Sequence, residues 1–144
     1  MIGDIVGRPG RRAVQEIVPS LRKDLDIDLV IANGENSAGG FGITFDTAQE
    51  ILDSGVNVIT SGNHIWKKRE NTPYLQEELP VLRPSNYPKT TPGRGQLNIG
   101  DVMVVNLMGR VFMEALDCPF READRLLKEA EGLNSPSIVL VDFH

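Results

Sequence analysis

Four short apolar runs, each broken off by residues bearing oxygen or imidazole donors, restrict this chain more than any other feature. Leu29-Val30-Ile31-Ala32 gives way to Asn33-Gly34-Glu35-Asn36, and Val56-Asn57-Val58-Ile59-Thr60 to Ser61-Gly62-Asn63-His64. Ser137-Ile138-Val139-Leu140-Val141 leads into Asp142-Phe143-His144, and the opening Met1-Ile2-Gly3 into Asp4. Continuous apolar runs of this kind are the pattern of parallel strands covered on both faces. Helical patterns lie between them. Pro9 stands where a helix would start, and Ala13, Val14, Ile17, Val18, Leu21 and Leu25 recur at helical spacing, giving a helix to about Asp24. Thr44 can cap a second helix containing Ala48, Ile51 and Leu52, which Gly55 closes. The resulting β, α, β, α, β order predicts parallel strands joined by crossovers.

The remaining chain adds antiparallel and irregular structure. Residues 67–79 read as a charged helix, and the proline-rich stretch 80–95, with Pro84, Pro88 and Pro92, as a long irregular loop. Residues 96–99 and 102–107 flank Gly100-Asp101 as a hairpin, and 120–132 are amphipathic enough for a last helix. Ser137 to Val141 should be a final buried strand. The whole, residues 1–144, is expected to form one α/β domain with a parallel βαβ core and an added hairpin.

In open α/β sheets ligands bind beyond the carboxyl ends of the strands. Asp4, Glu35, Asn36, Asn63, His64 and His144 all follow apolar runs directly, and adjacent strand ends lie roughly 5 Å apart, so these groups can converge on one or two cations. Each residue also has a plainer reading. Asp4 can cap the following turn, Asn36 and Asn63 can be turn formers, and His64 can be a hydrogen-bonded structural histidine. Glu35 is harder to dismiss, because two carboxylates brought together at strand ends need a counter-charge. The glycines at 3, 7 and 10 could form a phosphate-cradling loop, but their spacing misses G-x-G-x-x-G and no G-K-[ST] follows. Lys67, Lys68 and Arg69 read as a solvated face, from which one could approach an anionic substrate, and Trp66 as packing.

Charge and cysteine usage narrow the function classes. A net charge of −5 with dispersed Lys and Arg gives no footprint for duplex nucleic acid. One cysteine, Cys118, permits neither a disulfide framework nor a zinc ribbon. No apolar stretch approaches the roughly 18 residues of a membrane span, and no secretory signal pattern is present. These features read as cytoplasmic.

Several motifs, taken in order, resemble a known family. They are Gly3-Asp4-Ile5-Val6-Gly7-Arg8-Pro9-Gly10, Asn33-Gly34-Glu35-Asn36 with Gly39-Gly40, and Gly62-Asn63-His64-Ile65-Trp66. Arg83-Pro84-Ser85-Asn86-Tyr87-Pro88, Asn106-Leu107-Met108-Gly109-Arg110 and Val141-Asp142-Phe143-His144 complete the set. Together they resemble the YmdB branch of the calcineurin-like metallophosphoesterases. The resemblance implies part of an αββα sandwich and a phosphodiesterase acting on small phosphodiesters such as 2′,3′-cyclic nucleotides. It implies a dinuclear iron or manganese centre held by Asp4, Glu35, Asn36, Asn63 and His144, with Glu35 as bridge and His64 as the catalytic histidine. It also implies a later Gly-Thr-His-Thr-His motif with two further ligands, which this sequence lacks, and the sequence starts inside the first strand, so the chain is expected to be truncated at both ends. The expected chemistry is in-line attack on a phosphoryl group polarised by two cations, with His64 assisting the leaving oxygen. A homo-oligomer is compatible with the sequence. The rivals are an inactive fragment serving as a metal-, phosphate- or partner-binding scaffold, and a Rossmann-like nucleotide-binding domain.

Overall fold

The computed structural model of the chain describes residues 1–68, 79–132 and 135–144. Its elements run α1 (Gly7–Asp24), β1 (Ile31–Asn33), α2 (Phe45–Asp53), β2 (Val58–Thr60), β3 (Gln96–Ile99), β4 (Val102–Leu107), α3 (Pro119–Ala130) and β5 (Ile138–Phe143). The architecture is mixed α/β. β1 and β2 form a parallel pair, and β3, β4 and β5 a second sheet in which β3–β4 is antiparallel and β4–β5 parallel. Ile2 bridges to Ala32 in parallel, so the opening residues join the edge of β1.

Local chemistry accounts for the element ends. Pro9 lies in the first turn of α1, where its missing N–H costs nothing. Thr44 closes a capping box at α2, its Oγ1 accepting from the Thr47 N–H while the Thr47 hydroxyl accepts from the Thr44 N–H. Gly55 leaves that helix with φ +98°, a conformation that side-chain-bearing residues resist. The charged helix expected over 67–79 falls, for residues 69–78, outside the described residues.

The two-residue period of the strands sorts the core into layers. Ala32 and Ile59 face a cluster with Val14 and Val18 of α1 and Ala48 and Ile51 of α2. Ile31 and Val58 point the other way, against Leu82 and Val104 of β4. On the far side of β4, Met103, Val105 and Leu107 meet Leu126 of α3. Each layer therefore shares one strand surface with the next.

Two expectations, on β5 and on the proline-rich segment, need correction. β5 is not buried: Ile138, Leu140, Val141 and Phe143 are 39% to 50% exposed. It is an edge strand, and among the described residues nothing covers its outer side. Within α1 the buried apolar side chains are Val14 and Val18, while Ile17 and Leu21 stay in solvent. Its flank is held instead by Arg22, whose guanidinium donates to Gly55 O, Asn57 Oδ1 and Asp28 O. The proline-rich segment is less irregular than its composition suggests. Val81 bridges to Ile59 and Leu82 to Arg94, both in parallel, so this segment links the two sheets.

Candidate active site

Gly34 passes hard against β2, donating its N–H to Thr60 O at 3.0 Å; a Cβ there would lie 2.8 Å from the Ile59 side chain. The Glu35 N–H then donates to Asn33 Oδ1 at 3.2 Å, and this Asx turn swings Glu35 into the protein, where it is 2% exposed. The Asn36 carbonyl accepts from the Gly7 and Gly40 N–H groups, tying the start of α1 and the glycine-rich loop to the same spot. From β2 the chain runs through Ser61, whose N–H donates to Asn106 Oδ1 at 2.8 Å, to Gly62, Asn63 and His64. From β5 the ladder continues one step further, with the His144 N–H donating to Leu107 O at 2.9 Å.

These three arrivals meet at Glu35. Its Oε1 lies 3.4 Å from His144 Nε2 and 3.7 Å from His64 Nδ1, and its Oε2 accepts from the His64 backbone N–H at 3.1 Å. Asn36 connects the remaining members, donating from Nδ2 to Asp4 Oδ2 at 2.7 Å with its Oδ1 2.7 Å from His64 Nδ1. A carboxylate only accepts, so the Asn36 amide must turn its NH2 to Asp4 and its carbonyl to the imidazole. His64 therefore donates from Nδ1, which leaves Nε2 as the atom available for proton transfer. The structure thus draws Asp4, Glu35, Asn36, His64 and His144 into one contiguous group. Asn63 adjoins them in the same turn as His64, half-buried, with its side chain hydrogen-bonded to no described residue.

Two features of the surroundings matter. Gly62 backs the group so closely that a Cβ would come within 2.5 Å of His144 Nε2 and 2.6 Å of Glu35 Oε2. The Tyr87 phenol is pushed up to about 12, first by burial and then by Glu114, with a smaller effect from Glu35. Trp66 sits edge-on to Tyr87 at 4.5 Å between ring centroids and contacts the core, as packing.

The donors fit a hard or borderline metal ion in kind: carboxylate and amide oxygens with imidazole nitrogen, and no thiolate. Cys118 is not one of them: it stands at the N-cap of α3, where hydrogen bonding from the Arg121 backbone lowers its thiol. A buried Glu35 without a Lys or Arg ion pair among the described residues is a further point of fit. Among the described residues no group of three or more His, Cys, Asp or Glu is arranged to hold a metal. Any such site would depend on the asparagine amides as well.

Residue-type reasoning overlooked Gly62 and Phe41. The Phe41 ring lies 4.3 Å from the His64 ring between centroids. Its signal in the sequence is an aromatic residue flanked by Gly39, Gly40 and Gly42 inside a ligand-bearing loop.

Comparison with known proteins bears on this geometry. The chain is 40% identical over 147 residues to a 2′,3′-cyclic-nucleotide 2′-phosphodiesterase of Bacillus subtilis, covering 99% of this chain and 55% of that protein. Its fold matches the crystal structure of a hypothetical protein from Thermus thermophilus with a TM-score of 0.88 at 43% identity, over 99% of this chain and 55% of the other. It also matches a crystal structure described as a novel phosphatase, from Mycoplasma pneumoniae, with a TM-score of 0.86 at 27% identity, over 99% and 53%. The chain therefore spans about half the length of each of these relatives. The sequence model of the YmdB-like proteins matches residues 1–144, and the chain belongs to that family.

Proposed function

We propose that this chain carries most of the active site of a metal-dependent phosphodiesterase acting on small phosphodiesters such as 2′,3′-cyclic nucleotides, within a calcineurin-like αββα sandwich. The observation that carries the reading is the buried Glu35 carboxylate, faced by the imidazoles of His64 and His144, in a chain 40% identical to a cyclic-nucleotide phosphodiesterase. Asp4, Glu35, Asn36, Asn63 and His144 would hold two iron or manganese ions, with Glu35 shared between them. When bound, such ions supply the positive charge that polarises phosphoryl oxygens and acidifies water.

The chain's own residues would do the rest. Asn36, oriented by Asp4, holds Nδ1–H of His64, so a protonated His64 can release its proton only from Nε2, to the leaving alkoxide as the P–O bond breaks. The Glu35 carboxylate beside the ring faces the positive charge that His64 carries before this step. An acidic net charge is no obstacle to a small anionic substrate once metal ions are present, though it disfavours a duplex. No described helix is long and apolar enough to cross a membrane, and we place the activity in the cytoplasm.

The test measures metal content and turnover of 2′,3′-cyclic AMP by the full-length protein. Two equivalents of metal are expected, and His64→Ala should keep them while losing at least about 100-fold in kcat. Absence of both metal uptake and turnover would overturn the reading. Metal or phosphate binding without turnover would favour the alternative, a non-enzymatic scaffold, for which the open β5 surface is the supporting observation.

A further inference from the structure

Phe41 is held in an unusual position for an apolar side chain. The loop carrying it is closed by the Ala38 N–H donating to Gly42 O at 2.8 Å and is anchored by the Gly40 N–H donating to Asn36 O at 3.1 Å. Gly39, Gly40 and Gly42 all adopt positive φ, between +72° and +89°, so the loop turns twice in a left-handed sense around this one aromatic residue. Gly42 lies against the turn that carries His64, and a Cβ there would sit 2.9 Å from Lys68 Cγ. The result is a ring resting on His64 at a tilt of 49° and yet 47% exposed. Lys67 Nζ stands over the ring, 5.6 Å from its centroid, on a long flexible side chain that must swing off this face for a base to stack and then keeps its charge near an anionic substrate.

From this geometry we infer that Phe41 is a specificity-determining residue, a platform on which the planar base of a nucleotide substrate stacks while its phosphodiester lies at His64. The inference rests on the phosphodiesterase reading and adds to it the residue through which esters carrying a base are preferred over those without one. Base–aromatic stacking tolerates any base, because every base offers a π face, so the platform selects for a nucleobase and not for its identity. Its anchoring to Asn36 and the His64 turn gives the base a fixed height above the reacting group.

The experiment compares kcat/KM for 2′,3′-cyclic AMP with that for glycerol 1,2-cyclic phosphate, which has the same cyclic diester and no base. Phe41→Ala should lower the ratio of the two by roughly tenfold, and Phe41→Tyr should restore it. Calorimetric binding of adenosine 3′-monophosphate against glycerol phosphate repeats the comparison without turnover and should show the same change in ratio. An unaltered ratio in both measurements, including equal losses on both ligands from disturbance of His64, would overturn the inference. Failure of the wild-type protein to hydrolyse either diester would instead count against the phosphodiesterase reading, with the binding ratio still deciding the role of Phe41.

Discussion

The Asn106 side chain accepts the Ser61 backbone N–H at 2.8 Å across 45 residues of sequence, joining the second sheet to the turn that bears His64. Asn106 is fully buried, and its Nδ2 also faces Asp142 O at 3.4 Å, two residues before His144. One amide thus holds two arms of the candidate site in register. Asn106→Ala would strand the buried Ser61 N–H, with an expected loss of about 1 to 3 kcal/mol. Urea unfolding should show it as a lower midpoint at unchanged slope.

Gly62 tests how tightly Glu35 and His144 must approach. Gly62→Ala puts a methyl group onto both side chains, so metal affinity or turnover should fall by roughly 10- to 100-fold. Gly3 is the control, since a Cβ there meets nothing within 4 Å. Metal titration of Gly62→Ala beside Gly3→Ala would reveal the contrast, and equal behaviour would show that the crowding is relieved at no cost.

The capping box of α2 stabilises the helix that follows the glycine-rich loop. Thr44→Ala removes the acceptor for the Thr47 N–H, and a loss of about 1 kcal/mol is expected. Thermal denaturation should place the variant's Tm a few degrees lower.

Acid should weaken the seam between α3 and the proline-rich segment. Hydrogen bonds from Arg125, opposed by burial and reinforced by Ser85, hold the Glu122 carboxyl below its ordinary value of 4.5. A depressed folded-state pKa means that this contribution is complete above the unfolded value and disappears as pH falls through the lower, folded one. Glu122→Gln should therefore flatten the stability profile below about pH 4.5. Unfolding midpoints measured between roughly pH 3 and 6 would show no difference in slope if the pairing contributes nothing.

The strand-end rule made the convergence of the candidate residues legible, because apolar runs fix where strands stop and the next residues must emerge together. Thr44, Gly55 and Gly100-Asp101 were readable for a similar reason, each being local chemistry. Coverage is not local. An apolar run predicts two packed faces, but whether β5 has them depends on what lies beside it. Val81 and Leu82 were hidden because two apolar residues among prolines carry no period, although their neighbours in space make them a bridge between sheets. Phe41 escaped for another reason: its importance comes from one contact with His64, which exists only after the glycine-rich loop has folded over the turn at 61–68.

β5 has a consequence for the protein in solution. Among the described residues its outer edge has no partner strand, and Ile138, Leu140 and Phe143 are half-exposed, the combination that lets one sheet extend into another. Kept as it is here, the chain should associate with itself as concentration rises, strand against strand. Gentle conditions such as dilution or a charged substitution at Leu140 would then prolong its life in the test tube more than any improvement to its core.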